Sequence, residues 1–135
     1  NVRLGDPETQ VVLPRLASDF YELIDAAVND QPLPTVVEDQ DATFGVVLAS
    51  KGYPQHPLHG QQLGQLPPSP HVMIDYANVS GQLDALRGNG GRLLMVLVKA
   101  STLQAAHDAV YDYLKQLNEP ACFYRTDIGA KVGLK

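Results

Sequence analysis

The stretch RLLMVLVK at residues 92–99 is the strongest strand signal in the chain. Its six central residues are all apolar, a pattern typical of a buried strand. Glycine-rich residues 88–91 precede it and predict a turn, because glycine tolerates positive φ. Ser101 follows, and Gln104 lies three residues later, so the pair predicts a capping box at the start of the longest helix. This strand and helix set the fold class.

Several shorter signals surround this pair. A continuous apolar run at 44–49 predicts another strand, and residues 71–76 predict a second. Residues 122–125 predict a last strand, and residues 61–64 allow one more short strand. The long helix has a predicted buried stripe of Leu103, Ala106, Val110, Leu114 and Leu117. Together these elements predict an α+β module with a small, mostly antiparallel β-sheet or barrel packed against one long helix.

The N-terminal part shows helix signals rather than strand signals. Asp6-Pro7-Glu8 is typical of a helix start, and Ser18 is predicted to cap a second helix. That second helix has one apolar face, formed by Phe20, Leu23, Ile24, Ala27 and Val28. Residues 29–41, with two prolines and four acidic residues, indicate a boundary between two parts of the chain.

Composition excludes several classes of function. The net charge of −5 over 135 residues argues against a nucleic-acid partner or a membrane-surface partner, which favour basic patches. No segment approaches the roughly 20 apolar residues that a membrane span needs. The single cysteine, Cys122, cannot form an internal disulfide, and its apolar neighbours indicate a packing role. We therefore expect a cytoplasmic protein.

The first ten residues, NVRLGDPETQ, gather groups that suit triphosphate chemistry. The Asn1 amide offers a neutral oxygen of the kind that Mg²⁺ accepts. On a strand, Arg3 lies on the same face as Asn1 and would steady charge as a phosphoryl group moves. A helix start alone would explain Asp6 and Glu8 equally well, so the residues leave both interpretations open.

Residues 1–16 resemble the end of the ATP-grasp domain in the phosphoribosylamine–glycine ligase family. Three further blocks, at residues 47–54, 90–92 and 123–129, resemble that family in the same order. Other ATP-grasp ligases share the Asn-x-Arg element but do not continue with Gly-Asp-Pro-Glu-Thr-Gln. The resemblance implies that residues 1–30 are the C-terminal end of an ATP-grasp domain and residues 31–135 a C-terminal α+β domain.

The resemblance also implies an activity. The family joins glycine to 5-phosphoribosylamine at the expense of ATP, with Mg²⁺ or Mn²⁺, and makes glycinamide ribonucleotide in de novo purine biosynthesis. Asn1 matches its metal-ligand asparagine, and Arg3 matches the catalytic arginine that faces the phosphoryl site. Asp6 and Glu8 lie near the substrate end. The turn of Gly52, Tyr53 and Pro54 would line the substrate mouth, although a tight turn after a strand explains it equally well.

The chain starts at Asn1 without an initiator methionine. We therefore expect the C-terminal piece of a longer enzyme whose ATP-binding residues lie upstream, and we expect this piece to be inactive alone. Two alternatives remain open. The chain could be a free-standing, non-catalytic interaction domain, or part of another ATP-grasp carboxylate–amine ligase.

The sequence departs from the family pattern at two places. Leu4 stands where phenylalanine is usual, and residues 75–78 (Asp-Tyr-Ala-Asn) replace a common His-Ala-Gly-Thr segment. Any role of that histidine is therefore in doubt here. Arg92 would meet a phosphate or merely begin a strand, and Asp127 is expected to pair with Arg125 on the surface. His56 and His59 lack further metal ligands nearby and are interpreted as loop residues.

Overall fold

The structure is a computed structural model that describes residues 3–134. Its strands are β1 (Ala42–Ser50), β2 (Val72–Tyr76), β3 (Val79–Ser80), β4 (Arg87–Gly88), β5 (Arg92–Ala100) and β6 (Cys122–Phe123). Its α-helices are α1 (Glu8–Val12), α2 (Phe20–Val28) and α3 (Leu103–Gln116). Short 3-10 helices follow at Leu13–Arg15 and Ala130–Val132.

The predicted central strand is the centre of the sheet. β5 pairs antiparallel with β1 along almost its full length and with β2 on its other side, giving the order β2-β5-β1-β6. Among residues 3–134 the two edge strands do not pair with each other, so the sheet is open. The antiparallel sheet with one long helix is confirmed. A closed barrel, which the sequence left as an alternative, does not form.

The core lies between α3 and one face of the sheet. Alternate residues of the two central strands point toward the helix, because successive side chains of a strand alternate between faces. The buried residues of this layer include Phe44, Val46 and Leu48 of β1, Leu94, Val96 and Val98 of β5, and Ala106, Val110 and Leu114 of α3. Within residues 3–134 this layer is the larger of the two buried apolar clusters, and its burial stabilises the fold.

The buried face of α3 differs in part from the predicted stripe. Leu103 is 39 % exposed, whereas His107 is 7 % exposed and lies in the core. The His107 ring packs edge-on between Phe44 and Tyr111, with ring centroids 5.0 Å and 4.7 Å away. Tyr111 and Tyr113 are also buried, and their hydroxyls donate to the carbonyls of Arg125 and Pro67. Aromatic packing therefore replaces part of the aliphatic stripe.

Sequence patterns missed the small hairpin of β3 and β4. Its two-residue strands pair antiparallel through Val79–Gly88 and Ser80–Arg87. The hairpin covers a second buried cluster of Leu63, Leu86 and Leu93. The short strand allowed at residues 61–64 is present only as one isolated bridge between Gln62 and Arg87. Strands this short show no periodicity in the sequence.

The helix caps lie one residue beyond the predicted positions. Asp19, rather than Ser18, caps α2 by accepting hydrogen bonds from the backbone N–H groups of Tyr21 and Glu22. Thr102, rather than Ser101, caps α3 by accepting from the Ala105 N–H at 3.1 Å. The start of α1 has no side-chain cap, and Asp6 is engaged elsewhere. Adjacent polar residues each have capping ability, so the sequence could not choose between them.

The N-terminal segment, residues 3–41, contains no buried residue. Lys99 of β5 ties it to the sheet, because its ammonium donates to the Asp39 carboxylate at 2.5 Å and to the Pro14 carbonyl at 3.2 Å. On the face of the sheet opposite α3, Gly45 allows α1 to approach closely. A Cβ at Gly45 would lie 3.1 Å from a methyl of Val11 and would collide with Met95.

Within residues 3–134, none of the helices combines the length and the apolar composition that crossing a membrane requires.

Candidate active site

The face of the sheet opposite α3 carries a cavity of about 470 Å³, here called the outer-face cavity. Val47, Met95 and Asp75 stand opposite one another on β1, β5 and β2, so their side chains share this face. They form the floor of the cavity. The remaining lining residues are Asp6, Gln10, Tyr53, Tyr76, Ala77, Asn78, Arg92 and Leu94.

One ion pair joins the N-terminal segment to the sheet at this cavity. The Arg92 guanidinium lies 2.9 Å from an Asp6 carboxylate oxygen and also donates to the Asp6 carbonyl at 3.4 Å. The side chains of Arg92 and Asp6 are 40 % and 58 % exposed. Water screens a pair this exposed, so it adds little to stability. The ion pair instead fixes the positions of the Asp6 carboxylate and the Arg92 guanidinium.

Tyr53 forms another wall of the outer-face cavity. It lies in the turn after β1, which Gly52 enters with φ of 86°, a left-handed conformation suited to glycine. The His56 N–H donates to the Gly52 carbonyl at 2.8 Å and closes that turn. The Tyr53 ring lies against Gly91, where a Cβ would be 3.9 Å from it. The turns before Tyr53 and before Arg92 therefore meet.

A buried serine holds these two turns together. Ser50 at the end of β1 is fully buried, and its N–H donates to the Gly91 carbonyl at 2.8 Å. Its hydroxyl donates to the Leu58 carbonyl at 2.6 Å and accepts a hydrogen bond from the Gln61 amide. Buried polar groups require such partners. Ser50 therefore links the loop that carries Tyr53 to the strand that carries Arg92.

The divergent segment at residues 75–78 belongs to the same cavity. The Asn78 amide donates to the carbonyls of Gly90 at 2.8 Å and Asn89 at 3.1 Å, which holds the turn before Arg92. Asp75 is exposed on the cavity floor. The segment thus supplies one structural amide and one solvent-facing carboxylate where the family pattern has other residues.

The structure brings together some of the predicted site residues. Asp6 and Tyr53 both line the outer-face cavity. Glu8 is the first residue of α1, and its carboxylate folds back toward Gly5 rather than into the cavity. Gly52 and Pro54 flank Tyr53 but are not cavity-lining residues.

Of the two residues matched to metal binding and phosphoryl transfer, the structure describes only Arg3. Arg3 is exposed at the start of the described chain. Asn1 lies outside the described residues, so its orientation relative to Arg3 stays a prediction.

Sequence reasoning missed three contributors to the cavity. The pairing of Asp6 with Arg92 joins positions 86 residues apart, and only the fold brings them together. In the sequence, Asp75 was notable only because it differs from the residue that is usual in the family. Gln10 also lines the cavity, and its amide oxygen is buried without a hydrogen-bond partner among residues 3–134. Nothing in the spacing of Gln10 indicated this position.

A second, smaller cavity of about 270 Å³ adjoins the first. The two share Val47, Tyr53, Arg92 and Met95, and the second extends toward the aromatic residues Phe123 and Tyr124. Its lining is mostly apolar. The outer face of the sheet therefore offers a polar chamber and an apolar chamber separated by Tyr53, Met95 and Arg92.

Other candidates from the sequence have structural roles. Arg125 and Asp127 form the predicted surface pair, with two contacts of 2.8 Å and 2.7 Å, and the Arg125 hydrogen bond lowers the pKa of Asp127. Cys122 packs against both apolar clusters, and burial raises its pKa to about 11, so its thiol is a poor nucleophile. Within residues 3–134 no three His, Cys, Asp or Glu side chains form a group able to hold a metal ion.

Known proteins show a consistent similarity to this chain. Residues 43–131 match the sequence model of the family described as phosphoribosylglycinamide synthetase, C domain. A phosphoribosylamine–glycine ligase of Halalkalibacterium halodurans is 42 % identical over 132 residues, which cover 97 % of this chain and 31 % of that protein. The ligase of Listeria monocytogenes serotype 4b is also 42 % identical, over 97 % of this chain and 32 % of its own length.

A solved structure agrees with these sequence relatives. The crystal structure of phosphoribosylamine–glycine ligase from Thermotoga maritima superposes with a TM-score of 0.80 at 30 % identity. The match covers 94 % of this chain and 32 % of that one. The chain thus spans about a third of the length of the relatives it matches, and it belongs to the phosphoribosylglycinamide synthetase family, with residues 43–131 as the family's C domain.

Proposed function

We propose that the chain acts as the C-terminal part of a phosphoribosylamine–glycine ligase. That enzyme would join glycine to 5-phosphoribosylamine with ATP and give glycinamide ribonucleotide in de novo purine biosynthesis. The observation that carries the proposal is the match to such ligases over 97 % of the chain. The ion pair of Asp6 and Arg92 lies beside a polar cavity, which supports a proposed substrate end there.

The proposed division of the chain is residues 1–30 as the end of an ATP-grasp domain and residues 31–135 as the C-terminal domain. Burial supports a chain of two parts, since no residue from 3 to 41 is buried whereas β1, β5 and α3 build a core, although this change lies near residue 41 rather than residue 30. The apolar face of α2 is also uncovered, with Phe20 41 %, Ile24 49 % and Val28 75 % exposed. We propose that the remaining two thirds of the ligase cover this face, because apolar surface favours burial.

The proposed reaction proceeds through transfer of the terminal phosphoryl group of ATP to the glycine carboxylate. The amine of the ribosylamine then attacks the acyl phosphate and releases phosphate. Arg3 would stabilise the charge that develops on the transferring group, since a fixed cation placed there lowers the barrier without reorganising. The outer-face cavity would orient the amine substrate for attack.

Mg²⁺ or Mn²⁺ is proposed as the metal, with Asn1 as one ligand. The described residues do not form a metal site by themselves, so the other ligands must belong to the rest of the ligase. An amide oxygen fits a hard cation of this kind. When bound, the cation would neutralise phosphate charge. A cytoplasmic location is proposed with this function, in keeping with a single, unpaired cysteine.

A hybrid enzyme tests the proposal. In it, this chain replaces the matching third of the Halalkalibacterium halodurans ligase. We expect the hybrid to make glycinamide ribonucleotide from glycine, 5-phosphoribosylamine and ATP, and the 135-residue chain alone to make none. In the hybrid, Arg3→Ala should lower kcat by about 10² to 10³, the usual loss when a charge-stabilising group is removed.

Two outcomes would overturn parts of this account. A hybrid that folds and binds ATP but makes no product would contradict the proposed function. Ligation by the isolated chain would contradict the expectation that most ATP contacts lie elsewhere. Arg15→Ala is a matched control, because Arg15 pairs with Glu38 on the surface and does not line the outer-face cavity.

A further inference from the structure

The outer-face cavity contains one charged group that no residue in the range 3–134 pairs with. Its charged lining groups are the carboxylates of Asp6 and Asp75 and the guanidinium of Arg92. Arg92 is committed to Asp6 at 2.9 Å. The Asp75 carboxylate has no ion-pair or hydrogen-bond partner among residues 3–134, and Asp75 is exposed on the cavity floor. The cavity therefore offers a ligand one free carboxylate and a net negative charge.

Asp75 is held by a rigid element rather than by a loop. It lies within β2 and stands opposite Met95 of the central strand. Its neighbour Ile74 packs against the α3 core, so alternation along the strand directs Asp75 to the opposite face. Tyr53 lines the same cavity as Asp75. A fixed carboxylate near one aromatic side chain is suited to orienting a small ligand.

The chemistry of these groups selects the ligand. An ionised carboxylate only accepts hydrogen bonds, so it favours groups that donate them. An ionised carboxylate repels phosphate and carboxylate groups, so the phosphates of ATP, the acid group of glycine and the 5-phosphate of the sugar would all lie away from Asp75. A ribosyl group carries several hydroxyl donors, and an amine adds another. The Tyr53 ring offers apolar surface to the carbon face of the sugar ring.

We propose that Asp75 is a specificity-determining residue that accepts hydrogen bonds from the ribosyl hydroxyls of the sugar-amine substrate. This proposal rests on the proposed ligase function and names the part of the substrate that the outer-face cavity receives. It also gives the divergent segment a role. A carboxylate at position 75 accepts hydrogen bonds at both oxygens, whereas the histidine common at this position has one donor and one acceptor nitrogen when neutral.

Calorimetry on the hybrid ligase tests the assignment. The product, glycinamide ribonucleotide, holds the same ribosyl group and serves as the probe. Asp75→Ala should weaken its binding by about tenfold or more, the usual loss for a hydrogen bond to a charged group, while ATP binding stays unchanged. Asp75→Asn, which keeps the size and one acceptor oxygen, should weaken it less. Asp84→Ala, an exposed aspartate outside the outer-face cavity, is the matched control.

The outcomes separate this proposal from the function on which it rests. If the hybrid makes product but Asp75→Ala binds the ribonucleotide within twofold of the parent, the role of Asp75 is overturned and the ligase function stands. If Asp75→Ala weakens ATP binding equally, the residue supports the fold rather than the sugar. If the parent hybrid neither makes product nor binds the ribonucleotide, both proposals fail.

Discussion

The N-terminal segment and the sheet with α3 differ in how far their residues are buried. Residues 3–41 hold two helices without a single buried side chain, whereas residues 42–134 surround a core in which Leu94, Val96 and Leu114 are almost fully buried. The helix α2 has an apolar face as clear as that of α3, yet only α3 has a sheet to pack on. An apolar pattern thus specifies a helix face, and the partner decides whether that face is stabilised.

The largest expected effect breaks the core. Leu114→Ala should lower the free energy of unfolding of the isolated chain by about 2–5 kcal/mol, since it leaves a cavity under the sheet. The matched change on the other helix, Ile24→Ala, should alter it by no more than about 0.5 kcal/mol, because the side chain is half exposed. Urea unfolding followed by circular dichroism measures both. Equal losses at the two sites would contradict the contrast between the regions.

The next effect concerns the link between the regions. Arg92→Ala removes the ion pair with Asp6. Because that pair is exposed, the free energy of unfolding of the chain should change by less than about 1 kcal/mol. In the hybrid ligase the same change should raise KM for 5-phosphoribosylamine by about tenfold or more. Without the ion pair, the N-terminal segment and the sheet no longer hold the cavity walls in fixed positions. Steady-state kinetics measures this. A change in KM for ATP alone would place Arg92 outside the substrate end.

Removing the cap of α3 and the cap of α2 should have different, smaller effects on stability. Thr102→Ala should cost about 1 kcal/mol of global stability, because α3 belongs to the cooperative core. Asp19→Ala removes an equivalent cap from α2 and should reduce helical content without moving the urea midpoint. Ser101→Ala is the control, since Ser101 does not cap α3. A stability loss at Ser101 larger than at Thr102 would restore the sequence-based assignment of the cap.

The smallest expected effect is a local dependence on pH. The backbone N–H of Asp41 and the side chain of Lys99 both stabilise the ionised form of Asp39 and lower its pKa from 3.8. Attachment of the N-terminal segment through Asp39 is therefore complete above pH 3.8 and is lost as pH falls through the lowered pKa of the folded chain. Pepsin should cleave residues 29–41 faster at about pH 3 than at about pH 4.5, relative to cleavage of an unstructured reference peptide.

The control for that experiment is Asp39→Asn, which removes the ionisable group. Its cleavage relative to the reference should be fast at both pH values. If the parent chain shows the same relative rate at both, Asp39 does not hold the segment.

The sequence predicted the elements whose residues repeat with a clear period. The central strand at residues 92–99, its neighbours β1 and β2, and α3 all follow from apolar runs and helical spacing, because burial imposes those patterns. The two-residue strands of the β3–β4 hairpin left no such pattern. The sequence also did not predict the burial of His107, since a histidine on a helix is compatible with solvent or with an aromatic core.

The candidate site was predictable only where a family motif carried it. Asp6 and Tyr53 were named from blocks that resemble the ligases, and both line the outer-face cavity. The contact of Asp6 with Arg92 depends on how α1 lies across the sheet, a long-range arrangement that no local pattern encodes. Asp75 lay in a segment that departs from the motif, so resemblance alone pointed away from it.

The most direct test of this account is amide hydrogen exchange in α2, measured in the isolated chain and in the active hybrid ligase. We expect the amides of Phe20–Val28 to exchange at least about 100-fold more slowly in the hybrid, because the rest of the enzyme would cover the apolar face of α2, while β5 stays equally protected in both. Equal exchange of α2 in the two proteins would contradict the claim that the N-terminal segment is completed by the remainder of the ligase.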